Sequence, residues 1–214
     1  PKFSVGYPLL MAPFYLLFGD EGMFYVSPIM GFLTLIAAYL LFRLWSSPLA
    51  SLLAVLTLAA NGVFLTYSNY MLTHAADICF VTWAMYFLWR WYRTPSAGWG
   101  IATGLALGVS IAVRPTNVLL AAVVAVAAIA VFARTYRTKI IPWRALVALA
   151  VACAVIPLLL ALYNYRQFGS PFVSGYQLTN EQNAYSLAAL KAHLGPFTLG
   201  MMEDALFIAF PLGL

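Results

Sequence analysis

The sequence predicts an all-α, polytopic transmembrane helix bundle, and three observations predict it. Hydrophobic residues make up 64% of the 214, charged residues only 8%, and the mean hydropathy is +0.91. A soluble domain carries about 25% charged residues, so this chain has too little polar surface to face water on every side. The apolar residues also fall in long runs broken by short polar segments, the pattern of helices cut to the thickness of a bilayer.

Taken in order, the segment Tyr7 to Phe18 is apolar but too short to span, and Pro8 and Pro13 interrupt it. A short interfacial or re-entrant helix is expected there. Six spans follow: Met23 to Trp45, Leu49 to Tyr67, Ala75 to Trp91, Trp99 to Val113, Asn117 to Phe132, and Trp143 to Tyr163 with a kink expected at Pro157. A truncated seventh opens at Leu206 to Leu214. Trp45, Trp89, Trp91, Trp99 and Trp143 sit near span ends, where indole rings favour the membrane–water boundary. Gly100, Gly104 and Gly108 form a stripe of small residues for close helix packing. Cys79 and Cys153 lie inside apolar runs and read as small buried hydrophobes.

The charges divide by side. The side reached after the first span receives Arg43, Arg90, Arg93, Arg134, Arg137, Lys139 and Arg144. The other receives Lys2, Arg114, Arg166 and Lys191, together with all six acids: Asp20, Glu21, Asp77, Glu181, Glu203 and Asp204. By the positive-inside rule the arginine-rich side is cytoplasmic. The polar, irregular segments lie on the opposite face, which is therefore the expected working face.

Four features on that face could carry chemistry. In Asn69 to Asp77, Thr73 can cap the helix that follows, and His74 and Asp77 share a helix face. They form either a favourable charge at a helix start or a polar pair for a hydroxylated substrate. In Arg114-Pro115-Thr116-Asn117, proline ends the fourth span and lifts a guanidinium to headgroup depth, where it suits a phosphate or simply snorkels. The segment Tyr163 to Tyr176 mixes aromatic rings with amide and hydroxyl groups, including Asn164, Ser170 and Tyr176, and could bind a sugar or be a structured loop. Glu203-Asp204 reads as an interfacial charge pair. No nucleotide-binding loop, nucleophile elbow, selectivity filter or metal-ligand spacing occurs, and nothing points to nucleic acid.

The order of these features resembles the GT-C superfamily of integral-membrane glycosyltransferases. The nearest branch is similar to bacterial and archaeal relatives of the protein mannosyltransferases and the aminoarabinose lipid A transferases. The matching pieces are Gly6 to Leu10 with Ala12-Pro13-Phe14, Thr73-His74, Gly104 to Gly108 followed by Val113 to Thr116, Asn164, Phe168 to Pro171, and Gly175-Tyr176. The resemblance implies transfer of a sugar from a polyprenyl-phosphate donor to a protein, lipid or glycan acceptor, on the extracytoplasmic side of the plasma membrane. It implies that Arg114 contacts the carrier phosphate, that His74 and Asp77 line the cavity, and that Asn164, Ser170 and Tyr176 shape the sugar or acceptor site. The family's key acid lies in the first outer loop, which would precede Pro1. Residues 1–214 would then be one transmembrane domain without its first span and its C-terminal spans. Many family members use a divalent metal ion, although no cofactor is evident here. A transporter or lipid flippase is the alternative, and would need polar groups at the bilayer midplane beside broken helices. Mid-span polar groups are few: Thr34, Asn61, Thr82 and Ser110. A catalytically inactive homologue is the third reading.

Overall fold

A computed structural model describes residues 4–137, 141–173, 191–192 and 194–195. The chain divides into two compact units, Ser4–Phe172 and a second made of Pro1–Phe3 with Val173–Leu214. Of the second, Val173 and two short helical pieces are described. The expected seventh span at Leu206 to Leu214 and the Glu203-Asp204 pair lie outside the described residues.

The first unit is a helix bundle. Helix α1, Gly6–Phe18, ends at Gly19, whose φ of 67° only glycine adopts freely. A 3-10 helix, Gly19–Tyr25, leads into α2, Val26–Phe42. Ser47 caps α3, Pro48–Ala60, by accepting from the Ala50 N–H at 3.2 Å, and Pro48 occupies the first turn where its missing N–H costs nothing. α4 is Gly62–Asn69, α5 Thr73–Arg93 and α6 Ala97–Val113. A second 3-10 helix, Pro115–Leu119, precedes α7, Leu120–Arg137. α8, Trp143–Phe168, runs through Pro157 and stops at Gly169 in the left-handed region. All-α architecture is therefore as expected, and no strand occurs among the described residues.

The span count is lower than six. Three described stretches are long and apolar enough to cross a membrane: Gly6–Phe42, taken across the Gly19 break, Pro115–Tyr136 and Trp143–Phe168. A fourth is obtained if α3 and α4 count as one span. The single span expected at Leu49 to Tyr67 is broken by 65°. The cause is Asn61, whose backbone is extended and whose Oδ1 accepts from the Phe64 N–H at 2.9 Å, so it ends one helix and caps the next. α6 has only 17 residues, about 26 Å of helix, short of the roughly 30 Å hydrocarbon core. α5 is longer, but Asp77, Arg90 and Arg93 dilute its apolar character.

α6 is the centre of the unit, with ten of its residues buried. Its glycine stripe works as the spacing predicts, against α8. Gly100 faces Ala145 and Leu149, Gly104 faces Ala152 and Cys153, and Gly108 faces Ile156. Residue numbers rise together on the two helices, so they run parallel, with α7 returning the chain between them. A Cβ at Gly104 would lie 2.5 Å from both the Ala152 Cβ and the Cys153 backbone nitrogen, a separation no side chain tolerates. Cys79 is buried, Cys153 is half-buried, and both are free.

Candidate functional site

The polar end of the unit forms where α5 starts and α6 stops. α5 begins at Thr73 itself, and its N-cap is Leu72, which provides no capping oxygen. Thr73 is therefore not the cap the sequence suggested. Leu72 is extended (φ −122°, ψ 155°), so helical geometry starts one residue later. Asp77 still lies on the first turns of α5, beside the end of α6. Pro115 stops α6 as predicted: Val113 is its last residue and Arg114 is extended (φ −136°, ψ 107°).

That turn delivers two donors to one carboxylate. Arg114 Nη1 donates to Asp77 Oδ2 at 3.1 Å, and Asn117 Nδ2 donates to Asp77 Oδ1 at 2.5 Å. Asn117 also donates to the Ser110 carbonyl at 3.2 Å, on the last turn of α6. Each carboxylate oxygen thus has its own partner. The Asp77 side chain retains 13% exposure and that of Arg114 41%. The charge that is harder to solvate is paired and hydrogen-bonded, while the guanidinium is fixed from one side and open on the other.

His74 and Asp77 do not form the pair that their spacing suggested. His74 stacks on Tyr67 of α4, with ring centroids 4.4 Å apart and planes 21° from parallel, and its Nδ1 is buried without a hydrogen-bond partner. The i, i+3 spacing puts both on one face of α5, but α6 and α4 approach that face from different sides and each claims one residue.

The Gly6-Tyr7-Pro8 segment meets the same place. Ser4 Oγ donates to the Ala112 carbonyl, and Gly6 packs so closely on Ala112 and Val113 that a Cβ would collide with their backbone. The Tyr7 hydroxyl bonds Ser27 Oγ at 2.8 Å, and Ser27 Oγ reaches the Leu72 carbonyl at 3.5 Å. One hydroxyl chain therefore links α1, α2 and the residue that opens α5. Tyr7, Val26, Ala75, Ala76 and Val113 close an apolar cluster beneath it.

Asn164 and Ser170 have local roles. Asn164 Nδ2 donates to the Pro171 carbonyl at 3.4 Å, and Ser170 Oγ accepts from the Phe172 N–H at 3.4 Å, so together they hold the turn after α8. The parallel packing still brings them to the polar end. Gly108 faces Ile156, and α8 continues past that contact, in the direction in which α6 ends, to Asn164. Tyr176 lies outside the described residues.

Asn117, Tyr67 and Ser110 complete the site, and sequence reasoning assigned none of them a role. Asn117 was visible inside the Arg-Pro-Thr-Asn turn, whereas the Ser110 carbonyl and the Tyr67 ring gave no sequence signal. Among the described residues no group of three or more His, Cys, Asp or Glu is arranged to hold a metal ion, and both Asp77 oxygens are occupied by donors. The described residues do not fit a divalent cation.

The polar groups that a transport pathway would need are turned inward. Thr34, Thr82 and Ser110 donate to the carbonyls of Met30, Ile78 and Leu107 in their own helices. Asn61 stands at a helix break, as transport would require, but its oxygen caps α4.

The family described as Dolichyl-phosphate-mannose-protein mannosyltransferase matches residues 4–160, most of the chain. No curated protein and no solved structure matches.

Proposed function

The chain belongs to the dolichyl-phosphate-mannose-protein mannosyltransferase family of GT-C-type membrane glycosyltransferases, and we propose that it takes its sugar from a polyprenyl-phosphate donor on the extracytoplasmic side. The observation that carries this reading is the Asp77–Arg114 pair. It offers a half-open guanidinium at the end of α6, buttressed from behind, beside the Gly-Tyr-Pro segment.

In this reaction an acceptor hydroxyl loses its proton to a base and attacks the anomeric carbon. The bond from that carbon to the phosphate oxygen breaks, and its electron pair leaves on the phosphate. Negative charge grows on that phosphate in the transition state, and a fixed cation stabilises it there more than in the ground state. Arg114 fills this role. Asp77 and Asn117 position it, because a guanidinium held in place needs no reorganisation as the charge develops. His74, on the same helix face as Asp77, lines the cavity. Asn164, Ser170 and Tyr176 shape the sugar or acceptor end. The family resemblance assigns the base to the first outer loop, and the acceptor is a protein, lipid or glycan hydroxyl.

The test is transfer by purified full-length protein supplied with a polyprenyl-phosphate sugar. Arg114→Ala is expected to lower transfer about a hundredfold, with membrane insertion unchanged. Arg114→Lys retains part of the activity, since it keeps the charge and loses the forked geometry. Unchanged transfer by Arg114→Ala would remove the phosphate role. Substrate movement into liposomes without any product would favour a transporter instead.

A further inference from the structure

At the opposite end of α5 the chain presents arginines and aromatic rings around an apolar groove that the transfer reaction does not use. The groove, about 580 Å³, lies between α2, α5 and α7, and Leu41, Trp45, Trp89, Tyr92, Val126 and Ala130 line it. Its rim is aromatic. Trp45 and Trp89 pack with centroids 4.6 Å apart, and Tyr92 follows 5.9 Å from Trp89. Two cations lie over these rings: the Arg93 guanidinium is 5.9 Å from the Trp89 ring and that of Arg134 is 5.2 Å from the Tyr92 ring. Arg134 also donates to the Tyr92 carbonyl at 2.9 Å, which holds it at the rim. Both arginine side chains are exposed. The described acids are Asp20, Glu21 and Asp77, and all belong to the far end of the helices, so no described carboxylate neutralises this pair. Tyr92 is fifteen residues along α5 from Asp77, about 22 Å, so the groove is separate from the transfer site.

We propose that this groove is a binding site for one anionic glycerophospholipid, with its phosphate on Arg93 and Arg134 and an acyl chain along Val126 and Ala130. Charge complementarity selects the occupant. A wholly apolar helix laid in the groove would leave both guanidinium groups unpaired, whereas a lipid brings the anion and the chain on one molecule. Indole and phenol rings favour the headgroup region of a bilayer, so an aromatic rim suits a lipid headgroup.

The test is lipid retention by the purified full-length protein, measured by native mass spectrometry after exposure to equal amounts of phosphatidylglycerol and phosphatidylcholine. Phosphatidylglycerol is expected to be retained in preference. The R93Q/R134Q double variant is expected to lose that preference about tenfold. Val126→Trp, at an exposed position, is expected to fill the groove and lower retention of both lipids without unfolding the bundle. Equal retention of the two lipids by the unmodified protein overturns the proposal, as does unaltered preference in the double variant. A photoreactive residue at position 126 identifies the occupant directly: a lipid adduct is expected, and an adduct with polypeptide overturns the assignment.

Discussion

Asn117 donates to the Asp77 carboxylate and to the Ser110 carbonyl, and removing its amide leaves Asp77 Oδ1 without its donor, whereas the Ser110 carbonyl keeps the Arg114 N–H at 2.8 Å. Asn117→Ala is expected to lower stability by about 1–3 kcal/mol, read from equilibrium unfolding in detergent, and a loss below about 0.5 kcal/mol would show that solvent replaces the amide. The Asp77–Arg114 pair behaves differently. Arg114→Ala leaves the nearly buried Asp77 carboxylate without its cation, and adding Asp77→Ala removes the stranded charge. The double variant is therefore expected to unfold later than Arg114→Ala alone, and strictly additive losses would exclude a direct coupling. At this scale the sequence was half legible. Arg114, His74 and Asp77 stood out because charge is rare in such a chain, and Arg114 and Asp77 do meet. Their partners were hidden, since a 37-residue separation between Asp77 and Arg114 carries no periodic signal.

Helices show the same contrast between local rules and tertiary ones. The glycine stripe of α6 was readable, but not which helix it would meet; α8 does so because α7 returns the chain between them. Glycines with and without neighbours should respond differently. Gly104→Ala is expected to destabilise the bundle by about 1–3 kcal/mol, since its new methyl meets Ala152 and the Cys153 backbone. Gly98→Ala, at the start of the same helix and with nothing within 4 Å, is expected to be neutral or slightly stabilising. Equal effects in a thermal unfolding series would refute the close packing. Two local misjudgements have local causes. Hydropathy runs straight through Asn61, but its side chain serves the helix after it rather than the span around it. Thr73 has a capping residue's chemistry, but helix α5 starts on it rather than after it.

Across the described residues of Ser4–Phe172, charge segregates more cleanly than hydropathy. Arg90 lies 4.9 Å over the Trp99 ring, and Arg93 and Arg134 lie on Trp89 and Tyr92, while Asp77, Arg114 and His74 gather at the other end. If the arginine-rich end is cytoplasmic, as the charge rule expects, a membrane-impermeant thiol reagent applied to intact cells will label Glu21→Cys, and will label Ser46→Cys only after permeabilisation, in a background lacking Cys79 and Cys153. Reversed labelling would place the Asp77–Arg114 site on the cytoplasmic side and end the extracytoplasmic reading. Fold class was legible because composition is a property of the whole chain; span number was not, because it turns on breaks at single residues. The parallel seating of α8 on α6 also sets an order in time. During synthesis α6 leaves the ribosome first, and its glycine face stays unmatched until the return helix and then residues 145–156 have emerged and crossed. A nascent chain halted at Arg137 would expose that face to lipid or to a chaperone, and the bundle would lock only as α8 arrives.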